Sequence, residues 1–265
     1  MMAAVFNDGL RKFLVPALLI ASASAISACQ SKTASLDGLD SMNTASTNPA
    51  SFTKTAELGE RWAKDQKNLE LGLAYSDGLE KLGQSDKQLQ VLQTVSELNP
   101  GNAKIQSLYG KKLIGANKSA EAVPVLEKIV ANDANDWRAR SALGSAYDQQ
   151  GQYAKARESY QAALAVKPNQ ISILNNMGMS YALEGNLKQA EATLRGAMEL
   201  PDGKTMPRLR QNLALVVGLQ GRFEEARKIA SEDLPIDQVD ANMAYLQKML
   251  AQPNTCQQLS GETEG

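Results

Sequence analysis

Residues 137–170 read WRARSALGSAYDQQGQYAKARESYQAALAVKPNQ, and residues 171–204 read ISILNNMGMSYALEGNLKQAEATLRGAMELPDGK. Laid one above the other, they match place for place. Leu143-Gly144 stands over Met177-Gly178, Tyr147 over Tyr181, Gly151 over Gly185, Ala156 over Ala190, Tyr160 over Leu194 and Ala163 over Ala197. The spacing of 34 residues extends outward. Gly110 completes one column, Ala122 a second and Gly83 a third, in which Asn117 fills the missing slot. A fixed period with small residues at set offsets is the mark of stacked helix–turn–helix repeats. Each such repeat contacts only its neighbours, and the stack offers an extended surface for other chains.

The columns place repeat starts at Leu69, Ala103, Trp137 and Ile171, then at Pro207 after a two-residue slip. The predicted packing follows from residue size. Gly110, Gly144, Gly178 and Ala214 at the eighth place, with Ala122, Ala156, Ala190 and Ala226 at the twentieth, lie where the two helices of a repeat touch. Larger side chains there would force the axes apart. Gly151 and Gly185 permit the left-handed backbone that ends a first helix, and Pro168 stops a second one. Two flanking helices are expected to seal the stack. One covers 53–68, with Leu58 and Trp62 four apart; the other covers 237–251, with Val239, Met243, Leu246 and Leu250 on one face and Asp237 as N-cap.

The Trp137–Gln170 unit resembles the tetratricopeptide repeat (TPR). The departures are Arg140 where Trp or Leu is usual, Asn117 and Ala134 for Gly and Pro in the Ala103 unit, and Gln88 for alanine in the first. The resemblance covers about Leu69 to Pro235. It implies an all-α, TPR-type α-solenoid of about five repeats over 69–236, with antiparallel helix pairs in a right-handed superhelix. It also implies a partner groove lined by the second, fifth, ninth, twelfth and thirteenth places of each first helix. Carried over, these are Lys104, Ser107 and Lys111; Arg138, Ser141, Ser145, Asp148 and Gln149; Ser172, Asn175, Met179 and Leu183; and Arg208, Gln211, Leu215 and Leu219. The lining is polar and basic early and more apolar late, which suits a peptide or helix with an acidic stretch and an apolar anchor. Serines stand at two places where chaperone-binding TPR domains carry Lys or Asn, so that clamp is not reproduced.

Composition argues against an enzyme. The 265 residues include no histidine, which removes the commonest general base, the usual zinc ligand and every Ser–His or Cys–His pair. A net charge of −1 gives no electrostatic footprint for nucleic acid. Gly203-Lys204-Thr205 has the end of a phosphate loop, but Met198 stands where its first glycine belongs. Ser51-Phe52-Thr53-Lys54 matches Ser-x-x-Lys without a pocket around it, and Glu224-Glu225 reads as a solvated helix face. No catalytic residue, cofactor or metal is expected.

The first 28 residues read as an export signal: Arg11 and Lys12, then an apolar stretch from Phe13 to about Ala25, too short to span a bilayer. Ile26-Ser27-Ala28-Cys29 resembles the lipobox of bacterial lipoproteins, which implies cleavage before Cys29 and acylation of that cysteine, palmitate included. An ordinary signal peptide ending near Ala23 and Ala25 is the other reading. Gln30, not aspartate, implies the outer membrane by analogy with the enteric sorting rule. Residues 29–52 are rich in Ser, Thr, Asn and Ala and are expected to form a flexible tether, spanning on the order of 25 Å root-mean-square. The polar tail, 252–265, is expected to be loose. Its Cys256 has no partner thiol within the chain once Cys29 is acylated.

The order of parts, and Ala241-Asn242-Met243-Ala244-Tyr245-Leu246-Gln247-Lys248-Met249-Leu250 above all, is similar to the TPR lipoproteins of the tight-adherence (Tad/Flp) pilus system, the TadD type. That resemblance implies an envelope protein facing the periplasm that assembles or localises the pilus secretin. The alternatives are an adaptor for periplasmic proteases or cell-wall enzymes, an accessory of outer-membrane protein insertion, and an enzyme.

Overall fold

The computed structural model describes residues 49–251. The export signal, Cys29, the tether as far as residue 48, and the tail with Cys256 lie outside the described residues. Among these, twelve α-helices and one 3-10 turn occur, with no strand. The helices are α1 (Pro49–Lys64), α2 (Leu69–Lys81), α3 (Ser85–Leu98), α4 (Ala103–Gly115), α5 (Ser119–Asn132) and α6 (Trp137–Gln149). They continue as α7 (Tyr153–Val166), α8 (Ile171–Glu184), α9 (Leu187–Met198), α10 (Pro207–Leu219), α11 (Phe223–Ala230) and α12 (Ile236–Leu250). The five first helices thus begin at the five residues that the columns give as repeat starts. The fold is an all-α, TPR-type solenoid.

The chain divides into two compact units, residues 49–125 and 126–251, with the division inside α5 beside Pro124. In the first, α1 packs on α2, α2 on α3 and α3 on α4. Its core holds Trp62, Tyr75, Leu79, Val91, Val95 and Ile105, with the Trp62 and Tyr75 rings 6.0 Å apart. In the second unit each helix from α6 to α11 packs on its successor; the first helices α6, α8 and α10 also touch in turn. The core there runs from Ile171 through Leu194, Leu209 and Val217 to Met243 and Leu246. Burying a leucine such as Leu194 fully contributes roughly 1.5–3 kcal/mol.

Close approach decides the spacing of the helix pairs. A Cβ at Gly144 would lie 2.6 Å from the Tyr160 ring, and one at Gly178 would lie 2.8 Å from Leu194. Ala122, Ala156, Ala190 and Ala226 are fully buried, and Gly110 and Ala214 are buried too. Each first helix then ends in one left-handed residue: Gly83, Asn117, Gly151, Gly185 and Gly221 all have φ between 59° and 94°. The next residue closes the end by donating back five positions, as Gln152 N–H does to the Tyr147 carbonyl at 2.9 Å and Asn186 N–H to Tyr181 at 2.9 Å. Asn117 does a glycine's task because asparagine tolerates that backbone better than other residues with a side chain. First helices are opened by Asn68, Asn102 and Asp136, whose side chains accept from the first-turn N–H groups.

Two boundaries differ from expectation. The first helix starts at Pro49, so residues 49–52 belong to it and not to a tether. Thr55 is buried over Gly78 and its hydroxyl donates to the Ser51 carbonyl at 2.8 Å, which ties the opening turn to α2. At the other end Pro235, not Asp237, is the N-cap of α12, because the Pro235 carbonyl takes the first helical bond, from Val239 N–H. Asp237 lies in the first turn, where its charge still favours the helix dipole. Val239, Met243, Leu246 and Met249 are buried, Leu250 is half-buried against the same core, and Leu246 closes over Gly218. Gly203-Lys204-Thr205 is a 3-10 turn; a Cβ at Gly203 would run into the Ala197 carbonyl, so the glycine serves packing.

Ala156→Trp is expected to lower the unfolding free energy by at least about 1–3 kcal/mol, the usual cost of overpacking. Glu158→Trp, on the exposed side of the same helix, should leave the melting curve in place. Equal melting of the two variants by circular dichroism would mean that the twentieth place is not where the helices meet.

Candidate protein-binding face

In the unit 126–251 the first helices α6, α8 and α10 stand side by side, so equal places along them line up. The second place is exposed in all three, giving Arg138, Ser172 and Arg208. Arg138 lies over the Trp137 ring at 4.2 Å, which holds the guanidinium while leaving its N–H groups outward. Ser141, Ser145, Gln149, Leu183, Gln211 and Leu215 are half-buried along the same helices. Ser145 Oγ donates to the Ser141 carbonyl at 3.2 Å and lies 3.1 Å from the Tyr160 hydroxyl. Gln211 donates to the Ala230 carbonyl at 3.2 Å and to Asp233 at 3.1 Å, so its amide is spent on the end of α11.

Four residues assigned to the groove do not line it. Asp148, Asn175, Met179 and Leu219 are buried. The reason is that successive first helices touch, and each covers the inner places of its neighbour. Asn175 accepts from Asn212 Nδ2 of α10 at 2.8 Å, Met179 belongs to the apolar core, and Leu219 does too. Asp148 accepts from the Ser180 hydroxyl of α8 at 2.6 Å and from the Tyr160 hydroxyl of α7 at 2.8 Å. Burial raises its carboxyl from 3.8 to about 7, against the opposing effect of those two hydroxyls. Tyr160, Ser180 and Asn212 escaped the sequence reading because they sit in columns read as packing or not read at all. Arg210 escaped as well: it is buried, pairs with Asp233 and with Glu232 at 3.1 Å, donates to the Lys204 carbonyl, and so fixes the turns around α10.

In the unit 49–125, Lys104 and Lys111 are exposed on α4 and Ser107 is half-buried between them. Lys112, one place on, is paired with Glu80 of α2, and the Lys112 hydrogen bond, with a second from Gln88 at 3.1 Å, holds the Glu80 carboxyl below its usual range.

The second helices carry charge of a different kind. Glu191 of α9 binds Arg222, Arg195 and Gln220, and Arg195 and Arg222 both reach Glu225. The Arg222 bond above all pulls the Glu191 carboxyl down to about 2. These charges are satisfied within the chain. Lys104, Lys111, Arg138 and Arg208 have no carboxylate partner among the described residues. Lysines without a carboxylate occur on second helices too, but the arginines of the second helices, Arg157, Arg195 and Arg227, are all paired with carboxylates, and Arg138 and Arg208 of the first helices are not.

Comparison with known proteins bears on the repeat. A TPR repeat model matches residues 144–185, and a tetratricopeptide repeat model matches residues 171–202. Protein O-mannosyl-transferase TMTC1 of Mus musculus is 27% identical over 164 residues, covering 60% of this chain and 17% of that protein. Protein y4yS of Sinorhizobium fredii is 28% identical over 104 residues, covering 39% of this chain and 57% of that one. The chain therefore spans well under two thirds of either relative. Among solved structures, a thermophilic TPR protein of Thermus thermophilus shares the fold with a TM-score of 0.58 at 22% identity, over 68% of this chain and 99% of that one. PilW, a widely conserved type IV pilus biogenesis factor, does so with a TM-score of 0.57 at 21% identity, over 77% and 92%.

Asn212→Ala is expected to cost about 1–3 kcal/mol, because it strands the buried Asn175 carbonyl. Asn175→Ala combined with Asn212→Ala should cost less than the two single changes added together. Additive losses in denaturant titrations would count against a coupled pair between α8 and α10.

Proposed function

We propose that this protein is a non-catalytic scaffold of the bacterial envelope, anchored through lipid on Cys29, whose first helices hold an acidic segment of a protein partner during assembly of a Tad/Flp-type pilus secretion system. The observation that carries the binding part is the division of charge. Arg157, Arg195 and Arg227 of the second helices are neutralised by carboxylates, whereas Arg138 and Arg208 on the first helices of the unit 126–251 are left for a partner. Half-buried Leu183 and Leu215 add apolar surface further along the same helices. Arginine held over an aromatic ring, as Arg138 is, gives up little conformational freedom when it binds a carboxylate. The pilus part is supported by the order of parts in the sequence, by the Ala241–Leu250 segment, and by a fold that pilus biogenesis employs in PilW. Repeats of this type suit such a role because they present a long surface and need no pocket.

Deleting the gene is expected to abolish surface fibres and secretin multimers. Complementation with Arg138→Glu plus Arg208→Glu should fail, although the variant melts like the wild type. Fibres that persist in the deletion strain would sink the pilus reading, and full rescue by the double variant would sink the basic face. Cys29→Ser should move the protein from the membrane to the soluble fraction or leave it unprocessed. Unchanged membrane fractionation would remove the lipid anchor.

A further inference from the structure

Three departures from the repeat columns meet at one point. At the twelfth place the other four repeats have Glu80, Ile114, Ala182 and Gly218, of which Glu80 is exposed; the third repeat has Asp148, buried. At the twenty-fourth place three repeats have Leu92, Leu126 and Leu194; the third has Tyr160, buried. At the tenth place Ala146 and Val216 flank the fourth repeat's Ser180, which is fully buried. These three polar side chains find one another across α6, α7 and α8, in hydrogen bonds of 2.6 and 2.8 Å. The Tyr160 hydroxyl also lies 3.1 Å from Ser145 Oγ, which donates to the Ser141 carbonyl at 3.2 Å. A continuous chain of hydrogen-bonding atoms thus leads from the buried carboxylate to half-exposed serines on the first-helix face.

We propose that this chain is a hydrogen-bond relay: protonation of Asp148 reverses the hydrogen bond to Tyr160, and Tyr160 then turns its hydroxyl to Ser145. With Asp148 ionised, Tyr160 O–H donates to Asp148 Oδ2, and Ser180 O–H donates to Oδ1. With Asp148 neutral, its own O–H donates to the Tyr160 oxygen, Tyr160 O–H donates to Ser145 Oγ, and Ser145 O–H keeps to the Ser141 carbonyl. One proton is taken from water and none is lost. A chain held on the first-helix face therefore meets a Ser145 oxygen that is occupied by the Tyr160 O–H on the acid side of neutrality and open on the alkaline side. That last step rests on the protein-binding reading of the face; the relay itself does not.

The surrounding charges leave the carboxylate without a direct cation. From α7 the facing groups are Arg157 and Tyr160, and from α8 they are Glu184 and Tyr181. Arg157 is engaged with Glu184 at 3.0 Å and lies 4.9 Å from the centre of the Tyr181 ring. On α6 itself Tyr147 donates to Glu127 of α5 and lies beneath Lys155 of α7. Desolvation of Asp148 outweighs the two hydroxyls and Arg157, so its carboxyl titrates at about 7 against 3.8 ordinarily. Between those values the native chain holds a proton that the unfolded chain has released. Stability is therefore greatest at the acidic end of the interval and is lost as pH rises through 7. Glu191, pulled from 4.5 down to about 2, acts in the opposite sense, at pH values below those at which the Asp148 effect is read.

The test uses the full chain labelled with 13C. The Asp148 carboxyl carbon is expected to titrate with a midpoint near 7, and the Ser145 Cβ shift should follow the same midpoint. In Tyr160→Phe the ring and its packing on Gly144 remain, the Asp148 midpoint moves further up, and Ser145 no longer responds. The unfolding midpoint of the wild type should fall by roughly 4–8 °C between pH 5.5 and 8, while Asp148→Asn stays level. An Asp148 midpoint near 4, or a Ser145 response that survives in Tyr160→Phe, would overturn the relay. Should Asp148→Asn not fold, the two chemical shifts still decide.

Discussion

The backbone of Gly144 lying against the ring of Tyr160 is the contact on which the rest is arranged. Two helices approach that closely only where one side chain is missing, and Gly178 against Leu194 repeats the arrangement one period later. Once the pair is set, the chain has to reverse within a few residues. The left-handed residue after each first helix does this, whether it is Gly151 or Asn117. The second helix can then lie antiparallel, with Ala156 or Ala190 fully buried where the pair touches. Every repeat solves the same steric problem, and the same residues recur because the solution recurs.

Pairs packed this way leave two surfaces with different obligations. Second helices of successive repeats come within reach at their outer flanks, and there charges pair, as Glu191 and Arg195 of α9 do with Arg222 and Glu225 at the start of α11. Exposed pairs of that kind contribute little stability each, typically below about 1 kcal/mol, but they occupy the arginines there. First helices touch one another along their inner places, which fill with Asn175, Asn212 and Met179. Only their outer edge remains for a partner. Its chemistry is set by few residues, and those are cationic or small.

What could be read in the sequence follows from what recurs. Helix starts, the turns and the small-residue columns obey a period, so Leu69, Trp137 and Pro207 were legible as starts and Asn117 as a substitute for glycine. The partner face was legible only at its edge. Whether a fifth or ninth place is open depends on the side chain that the next repeat sets against it, and one residue cannot report on that. Asn175 is closed by Asn212, whereas Ser141 in the same place stays half-open. Boundaries at the ends escaped for a similar reason: Pro49 and Pro235 begin helices because of tertiary contacts, with Thr55 seated on Gly78 and Leu246 on Gly218.

Columns also make their exceptions visible. A carboxylate at the twelfth place of the third repeat is a cost that Ile114, Ala182 or Gly218 avoids, since burying an ion without a direct counter-charge is unfavourable. Tyr160 and Ser180 lessen that cost by donating to it, and only an apolar residue at 148 itself would have removed it. In a chain without histidine, such a carboxylate titrates where a histidine otherwise would. The hydroxyl chain then carries that event 15 residues along the sequence, from Tyr160 back to Ser145, onto the first-helix face.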